Sequence, residues 1–230
     1  MYLYEMHQHT AGCSACAGVW PEELVKLLKR QGFSGMVLTI HFYHGNTAVR
    51  RQMPWADFVR PYEEEWLEAK AVGDALDFDV LFGLEEGVGG GKEVLLYGIT
   101  PAFLYDHPEL RDIPTGEERL RLLSTLVHQA GGLVYQAHPF RVRDYILDPW
   151  QPLPTAYLDG VEAYNFYNSP LENARAEQHA DKNGLLSIAG TDAHNREEHR
   201  FGIVARRRLR TNGDLVETLQ TGAYTLYLGE

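Results

Sequence analysis

Cysteine is scarce in this chain. Only Cys13 and Cys16 occur among 230 residues, too few for a disulfide framework, so the fold has to rest on a packed core. No apolar run approaches the roughly 20 residues of a membrane-spanning helix. The first residues also lack the basic segment followed by an apolar one that marks a secretory leader, and the expectation is a cytoplasmic protein. Positive charge is in deficit: 21 Lys and Arg stand against 32 Asp and Glu, a net charge of −11. That balance disfavours a broad, non-specific nucleic-acid surface. It leaves room for a small anionic substrate in a cleft where bound cations reverse the local sign. A phosphate-binding P-loop is missing too, because Gly89-Gly90-Gly91-Lys92 lacks both the spacing and the following Ser or Thr. Domain linkers, low-complexity tracts and repeats of constant period are likewise absent. With 44% hydrophobic and 23% charged residues, the chain reads as one globular domain over 1–230.

What the chain does have is an alternation of strand-like and helix-like segments. Met1 to His9 is extended in pattern, and Pro21 to Gln31 opens with proline and two glutamates, carries leucines at three- and four-residue steps, and stops at Gly32. Gly35 to His41 is an apolar, β-branched strand, Asp57 to Leu76 a helix, Asp79 to Gly87 a third strand and Glu93 to Ile99 a fourth. Gly116 to Ala130 is helical, Gly132 to Pro139 and Asp159 to Asn165 are strands, and Pro170 to Asn183 is a helix. Leu185 to His194 is a further strand. Asn212 or Asp214 caps a last helix through Leu219, and Ala223 to Leu228 closes the chain. The strand-then-helix unit recurs about seven times, which fits a parallel α/β barrel better than an open sheet. Val88 to Lys92 reads as a flexible turn, and Glu63 to Glu65 as a solvated helix face.

The chemistry gathers at strand ends. His7 and His9 are two residues apart on the first strand, so both imidazoles project to one face. Such a pair is half of a metal site. His41, Glu85, His138, Asp192 and His194 then fall at or near the ends of later strands, with Glu93 at the start of one. In parallel barrels the loops and strand ends at the C-terminal face form the active site. Singly, each histidine is best read as a satisfied core or surface side chain. Together with three carboxylates they form a set suited to Zn, Mn or Fe, in which a glutamate can bridge two ions. His128 and His179 sit within helices and read as structural. Arg141, Arg196 and Arg200 follow His138 and His194 closely enough to reach an anionic substrate, with Arg143 behind them. The Cys13–Cys16 pair, just past the first histidines, offers a redox motif, a thiolate ligand or simply small buried residues.

His7-Gln8-His9-Thr10, Thr39-Ile40-His41, Gly83-Leu84-Glu85, Ala137-His138-Pro139 and Gly190-Thr191-Asp192-Ala193-His194 resemble, in order, the successive motifs of the polymerase and histidinol phosphatase (PHP) family. The resemblance implies a distorted (β/α)7 barrel with two or three divalent metal ions that hydrolyses phosphate esters with metal-activated water. It implies that His7, His9, Glu85 and Asp192 hold a first ion, that Glu85 bridges to a second held also by His138, and that His41 and His194 serve a third. Glu85, Asp192 and His194 are then the catalytic set, and Arg141, Arg196 and Arg200 the substrate-binding set. Two positions depart from the family pattern. Ile40 stands where Asp is common and cannot ligate; Glu93 stands where His is common and still can. A further third-site ligand falls near Cys13 or Ser14. The reading is a stand-alone phosphoesterase acting on a small phosphorylated metabolite or nucleotide, with nucleic acid and membrane not expected as partners. Two other readings stay open: a non-catalytic metal-binding or scaffold barrel, which Ile40 and Glu93 favour, and an amidohydrolase-type metallohydrolase, which would be supported by a strand ending in lysine.

Overall fold

The structure is a computed structural model and describes residues 1–196 and 198–229. The chain begins with β1 (Tyr2–Gln8), then α1 (Pro21–Arg30), β2 (Gly35–Leu38), α2 (Trp55–Ala75) and β3 (Asp79–Phe82). A hairpin of β4 (Leu84–Gly89) and β5 (Lys92–Tyr97) follows, and then α3 (Pro101–Asp106), α4 (Glu117–Gln129) and β6 (Leu133–Gln136). The remainder is β7 (Gly160–Asn165), α5 (Pro170–Asn183), β8 (Leu186–Gly190), β9 (Gly202–Ala205), α6 (Asn212–Gln220) and β10 (Tyr224–Tyr227). Among the described residues no helix is long and apolar enough to cross a membrane.

The strands form two five-stranded sheets, β10-β9-β1-β2-β3 and β4-β5-β6-β7-β8. Their edges meet at two seams, where isolated parallel bridges join Gln8 to Ala193 and His41 to Glu85. The mixed α/β class is as expected, but the strands are not all parallel. β1, β2 and β3 run parallel, as do β6, β7 and β8. β4, β5 and β6 pair antiparallel, and so do β9 and β10 with each other and β9 with β1.

The hairpin is the main departure from the expected unit. The anticipated third strand, 79–87, is two strands broken at Gly83, whose Cβ would lie 2.8 Å from Val37 Cγ1 and 3.0 Å from the Leu96 carbonyl oxygen. The glycine lets the backbone pass from one sheet to the other. The stretch expected to be a flexible turn is a tight one: Gly90 and Gly91 both take positive φ (63° and 74°), the conformation a two-residue hairpin of the favoured twist demands. α6 is capped by the Thr211 side chain, with Asp214 closing the capping box from inside the helix rather than serving as the cap itself.

Side chains segregate as the periodicity predicts, with one correction. α1 buries Leu24, Val25 and Leu28 on one face, and α2 packs Phe58 and Tyr62 around Phe42. Ile40, the residue that cannot ligate, is fully buried in this same apolar cluster. Glu65 is not solvated. It is buried and accepts a hydrogen bond from the Gly12 backbone at 2.9 Å, which ties α2 to the loop after β1.

Candidate metal centre

The first sheet brings His7, His9 and His41 to its edge, and the second brings Glu85, Glu93, His138, Asp192 and His194 against them. His7 leaves β1 toward the second sheet, and His9 follows two residues on, just past the strand end. Glu85 and Glu93 lie on the two arms of the hairpin, opposite Leu95 and Gly87. His138 and Asp192 sit just beyond β6 and β8, both at positive φ (29° and 56°). Left-handed backbone at non-glycine residues costs energy, and it persists where surrounding contacts over-determine it.

Glu85 is the hub. Its Oε1 lies 3.2 Å from His7 Nε2 and 3.1 Å from His138 Nε2. Its Oε2 lies 3.3 Å from His9 Nε2 and 2.9 Å from His41 Nδ1. Each carboxylate oxygen therefore faces two imidazoles. Asp192 Oδ1 adds contacts at 3.4 Å to His7 and 3.2 Å to His9. Glu93 sits 3.5 Å from both His41 and His138. Among the described residues, three groups have donor atoms gathered closely enough for one ion: His7, His9, Glu85 and Asp192; His41, Glu85 and Glu93; and His9, His41 and His194. All the residues expected as metal ligands thus converge.

The donor set fits divalent cations. His9 Nε2 and His7 Nε2 point at each other across 3.2 Å, an arrangement a shared positive ion would relieve. His41 Nδ1 and Glu85 Oε2 are buried yet lack a well-formed hydrogen bond, and buried polar atoms are normally satisfied. The electrostatics agree. Burial opposes charge on His7, but Glu162, Glu85 and Asp192 outweigh it and hold its pKa well above the ordinary imidazole value. His41 is raised in the same way by Glu85 and Glu93 against its burial. For Glu85, burial is overcome by His7 and His41, which keep the carboxyl well below the usual range. His9 goes the other way, lowered by burial and by His41 beside it. The carboxylates therefore favour positive charge at this place.

Three further residues shape the centre. Glu162, on β7, is fully buried. It contacts His7 Nδ1 at 3.0 Å, accepts from the His138 backbone N–H at 2.8 Å and accepts from Asn165 at 3.0 Å. A glutamate within the otherwise apolar Gly160-Val161-Glu162-Ala163 was the available signal for it. Glu5 accepts from the backbones of Met6, His7 and Thr191, and burial pushes its carboxyl up to about 7 against those hydrogen bonds. Ser14 Oγ accepts from His41 N at 3.1 Å and contacts His9 Nδ1 at 3.2 Å.

The two cysteines part company. Cys13 is buried in the apolar cluster, whereas Cys16 lines the cavity. Burial would raise the Cys16 thiol, but hydrogen bonding to His194 and His41 prevails and brings it down to about 6. Beside the third group of ligands lie Ser14, which touches His9 and His41, and Cys16, whereas Cys13 turns into the core.

The centre opens into a cavity of about 590 Å³ walled by Cys16, Arg141, Tyr145, the Gly89–Gly91 turn and Lys92. Of the expected arginines only Arg141 is there. It is buried, reaches Asp192 at 2.7 Å and is held by Asn168 and Asn165 at 2.9 and 2.7 Å. Arg196 instead pairs with Glu23 of α1 at 2.5 Å, and Arg200 lies over the Tyr227 ring. Arg143 is on the rim, its guanidinium bonded to the carbonyls of Val142 and Tyr167. His128 pairs with Asp159 on the flank of the fold.

The fold has counterparts among known proteins. Residues 170–224 match the family described as PHP-associated (PHP_C). No curated protein sequence matches the chain. Among solved structures, it resembles a two-domain protein of Bacteroides vulgatus that contains a predicted PHP-like metal-dependent phosphoesterase. There the TM-score is 0.70 at 17% identity, over 99% of this chain and 64% of that one. A candidate metal-dependent phosphoesterase of Bifidobacterium adolescentis gives 0.59 at 16% identity, over 94% and 95%. The lesion-specific endonuclease EndoQ of Pyrococcus furiosus gives 0.59 at 14%, over 98% and 57%. The chain spans less than two thirds of the first and the last of these. At such identities the likeness is one of fold. The resemblance to the PHP family read from the sequence is borne out.

Proposed function

We propose that this chain is a metal-dependent phosphoesterase acting on a small phosphorylated molecule. The observation that carries the reading is Glu85, each of whose oxygens faces two imidazoles, as a carboxylate bridging two cations would. His7, His9, Glu85 and Asp192 would hold one ion, Glu85, Glu93, His138 and His41 a second, and His194 with His41 and His9 a third. Ions bound there supply Lewis acidity and an activated water for attack at phosphorus.

The chain's own residues do the rest. His194 donates from Nδ1 to the Asp192 carbonyl at 2.7 Å, which reserves Nε2 of this quarter-exposed side chain to ligate or to take up a proton. Glu85 and Asp192 fix the charge balance around the reacting centre. Arg141, pinned on three sides, offers its remaining N–H groups to a phosphate oxygen. The cavity volume suits a metabolite-sized substrate. The edge seams between the sheets support treating the two as one distorted barrel within a single domain over 1–230.

Elemental analysis of the purified protein, run beside p-nitrophenyl phosphate hydrolysis with and without chelator, tests the reading. Two or more equivalents of Zn, Mn or Fe and chelator-sensitive turnover are expected. Absence of metal, with no turnover against a panel of phosphorylated metabolites after Mn or Zn is restored, would overturn it.

A further inference from the structure

We infer that Cys16 is a thiolate ligand of the centre, making the end built by His41 and His194 a soft nitrogen–sulfur site beside an oxygen-rich one. The inference rests on reading the cluster as a metal centre and adds which ion each end prefers. His9, His41 and His194 each present a donor atom within 4.8 Å of the others. Cys16 borders the same cavity as His41 and His194, and its side chain interacts with both.

The loop that carries Cys16, an exposed residue at the cavity wall, is held in place. Ala15 N donates to Asn46 O at 2.8 Å, Ala17 N to Ser14 O at 3.1 Å and Gly18 N to His194 O at 2.7 Å. Backbone hydrogen bonds therefore pin the loop on both flanks of Cys16, and one of them ties it to His194. Ser14 fixes the other neighbour by accepting from His41 N. Cys13 points into the core, so the pair does not act as a dithiol facing the cavity. His41 joins the two ends: it is buried, its Nδ1 lacks a well-formed hydrogen bond while facing Glu85 Oε2 at 2.9 Å, and its side chain also meets Cys16.

The two ends then differ in donor chemistry. Glu85, Glu93 and Asp192 crowd one end with carboxylates; the other offers imidazoles and sulfur. Thiolate and imidazole select zinc-like ions, whereas carboxylate-rich sites accept Mn or Mg. The chain should therefore retain Zn at the Cys16 end under conditions where Mn exchanges at the other.

Cobalt(II) titration of the metal-stripped full chain tests this without reference to activity. Wild type and Cys13→Ser should show a thiolate-to-cobalt charge-transfer band in the near ultraviolet, and Cys16→Ser should lack it. The same Cys16→Ser change should weaken the tightest zinc equivalent by at least ~10-fold, since even partners outside the coordination sphere are worth that much. On unmodified protein, bound zinc should protect Cys16 from alkylation, read by mass spectrometry, so the outcome does not hang on a variant that folds. Cobalt uptake without the sulfur band, or Cys16 alkylated equally fast with zinc present, would overturn the inference alone. No cobalt uptake at all would overturn the metal centre with it.

Discussion

Glu162→Gln is the change that best probes how the centre is held. The substitution keeps side-chain volume and removes one charge. Glu162 Oε1 sits 3.0 Å from His7 Nδ1 and, as a carboxylate, can only accept. In the neutral ring that a ligand requires, the proton of His7 is therefore kept on Nδ1, and Nε2 carries the lone pair facing Glu85 and Asp192 at 3.2 and 3.4 Å. Oε2 meanwhile accepts from the His138 backbone N–H and the Asn165 amide. Glutamine can keep that second role with its carbonyl, which turns its NH2 toward His7 Nδ1. The imidazole must then accept there, its proton moves to Nε2, and the lone pair needed by a cation is lost. Losing a carboxylate behind a ligating histidine typically costs 10–100-fold in metal affinity, or about 1.4–2.7 kcal/mol. The measurement is competition with a chromophoric chelator on the full chain, alongside circular dichroism to show the fold is kept. Phosphatase activity at limiting metal should fall in step and recover in excess metal. Unchanged affinity in a folded Glu162→Gln protein would refute the tautomer argument.

Other consequences can be checked on stability. Arg119 is fully buried, with Nε and Nη2 on Glu86 Oε1 and Nη1 on the carbonyls of Leu110 and Ile113. Glu86→Ala strands that charge and should cost ~3–5 kcal/mol in urea unfolding, most of it recovered in the Glu86→Leu, Arg119→Met double variant. Gly91→Ala places a Cβ 2.3 Å from the Tyr145 carbonyl oxygen at φ 74°, so ~1–3 kcal/mol of stability should be lost, with faster proteolysis between residues 141 and 154. Glu5 titrates at about 7 in the fold, above its unfolded value. The native state binds the proton more tightly, so its stabilising contribution is full below the unfolded pKa and is lost as pH rises through about 7. That amounts to roughly 3 kcal/mol. Relative to Glu5→Gln, the metal-free wild type should lose stability between pH 5 and pH 8; parallel pH profiles for the two would contradict this.

The sequence revealed what repeats locally and concealed what depends on meeting. β1, α1 and α5 were readable to within a residue or so, because strand alternation, an amphipathic face and a proline start with a glycine stop are all local. His7, His9, Glu85, Asp192 and His194 could be picked out because they stand at strand ends in recognisable company. Gly83 hid its break because the apolar run continues through it, and only the passage between sheets demands a residue without a side chain. Arg196 follows the right motif but meets Glu23, a partner 173 positions away. Glu65 carries the charge of a solvated face, yet a loop folds over it. Cys16 and Glu162 acquire meaning only from histidines brought to them by the fold.

The centre is also a lock between two halves. Of the ligating groups, the first sheet supplies His7, His9 and His41, while the second supplies every carboxylate together with His138 and His194. Each of the three ligand groups draws donors from both halves, so cation binding and the docking of the sheets are linked. An ion bound there should act as a clasp whose strength reports how tightly the halves are closed. The same linkage means that a ligand prying at the cavity mouth works against the metal itself.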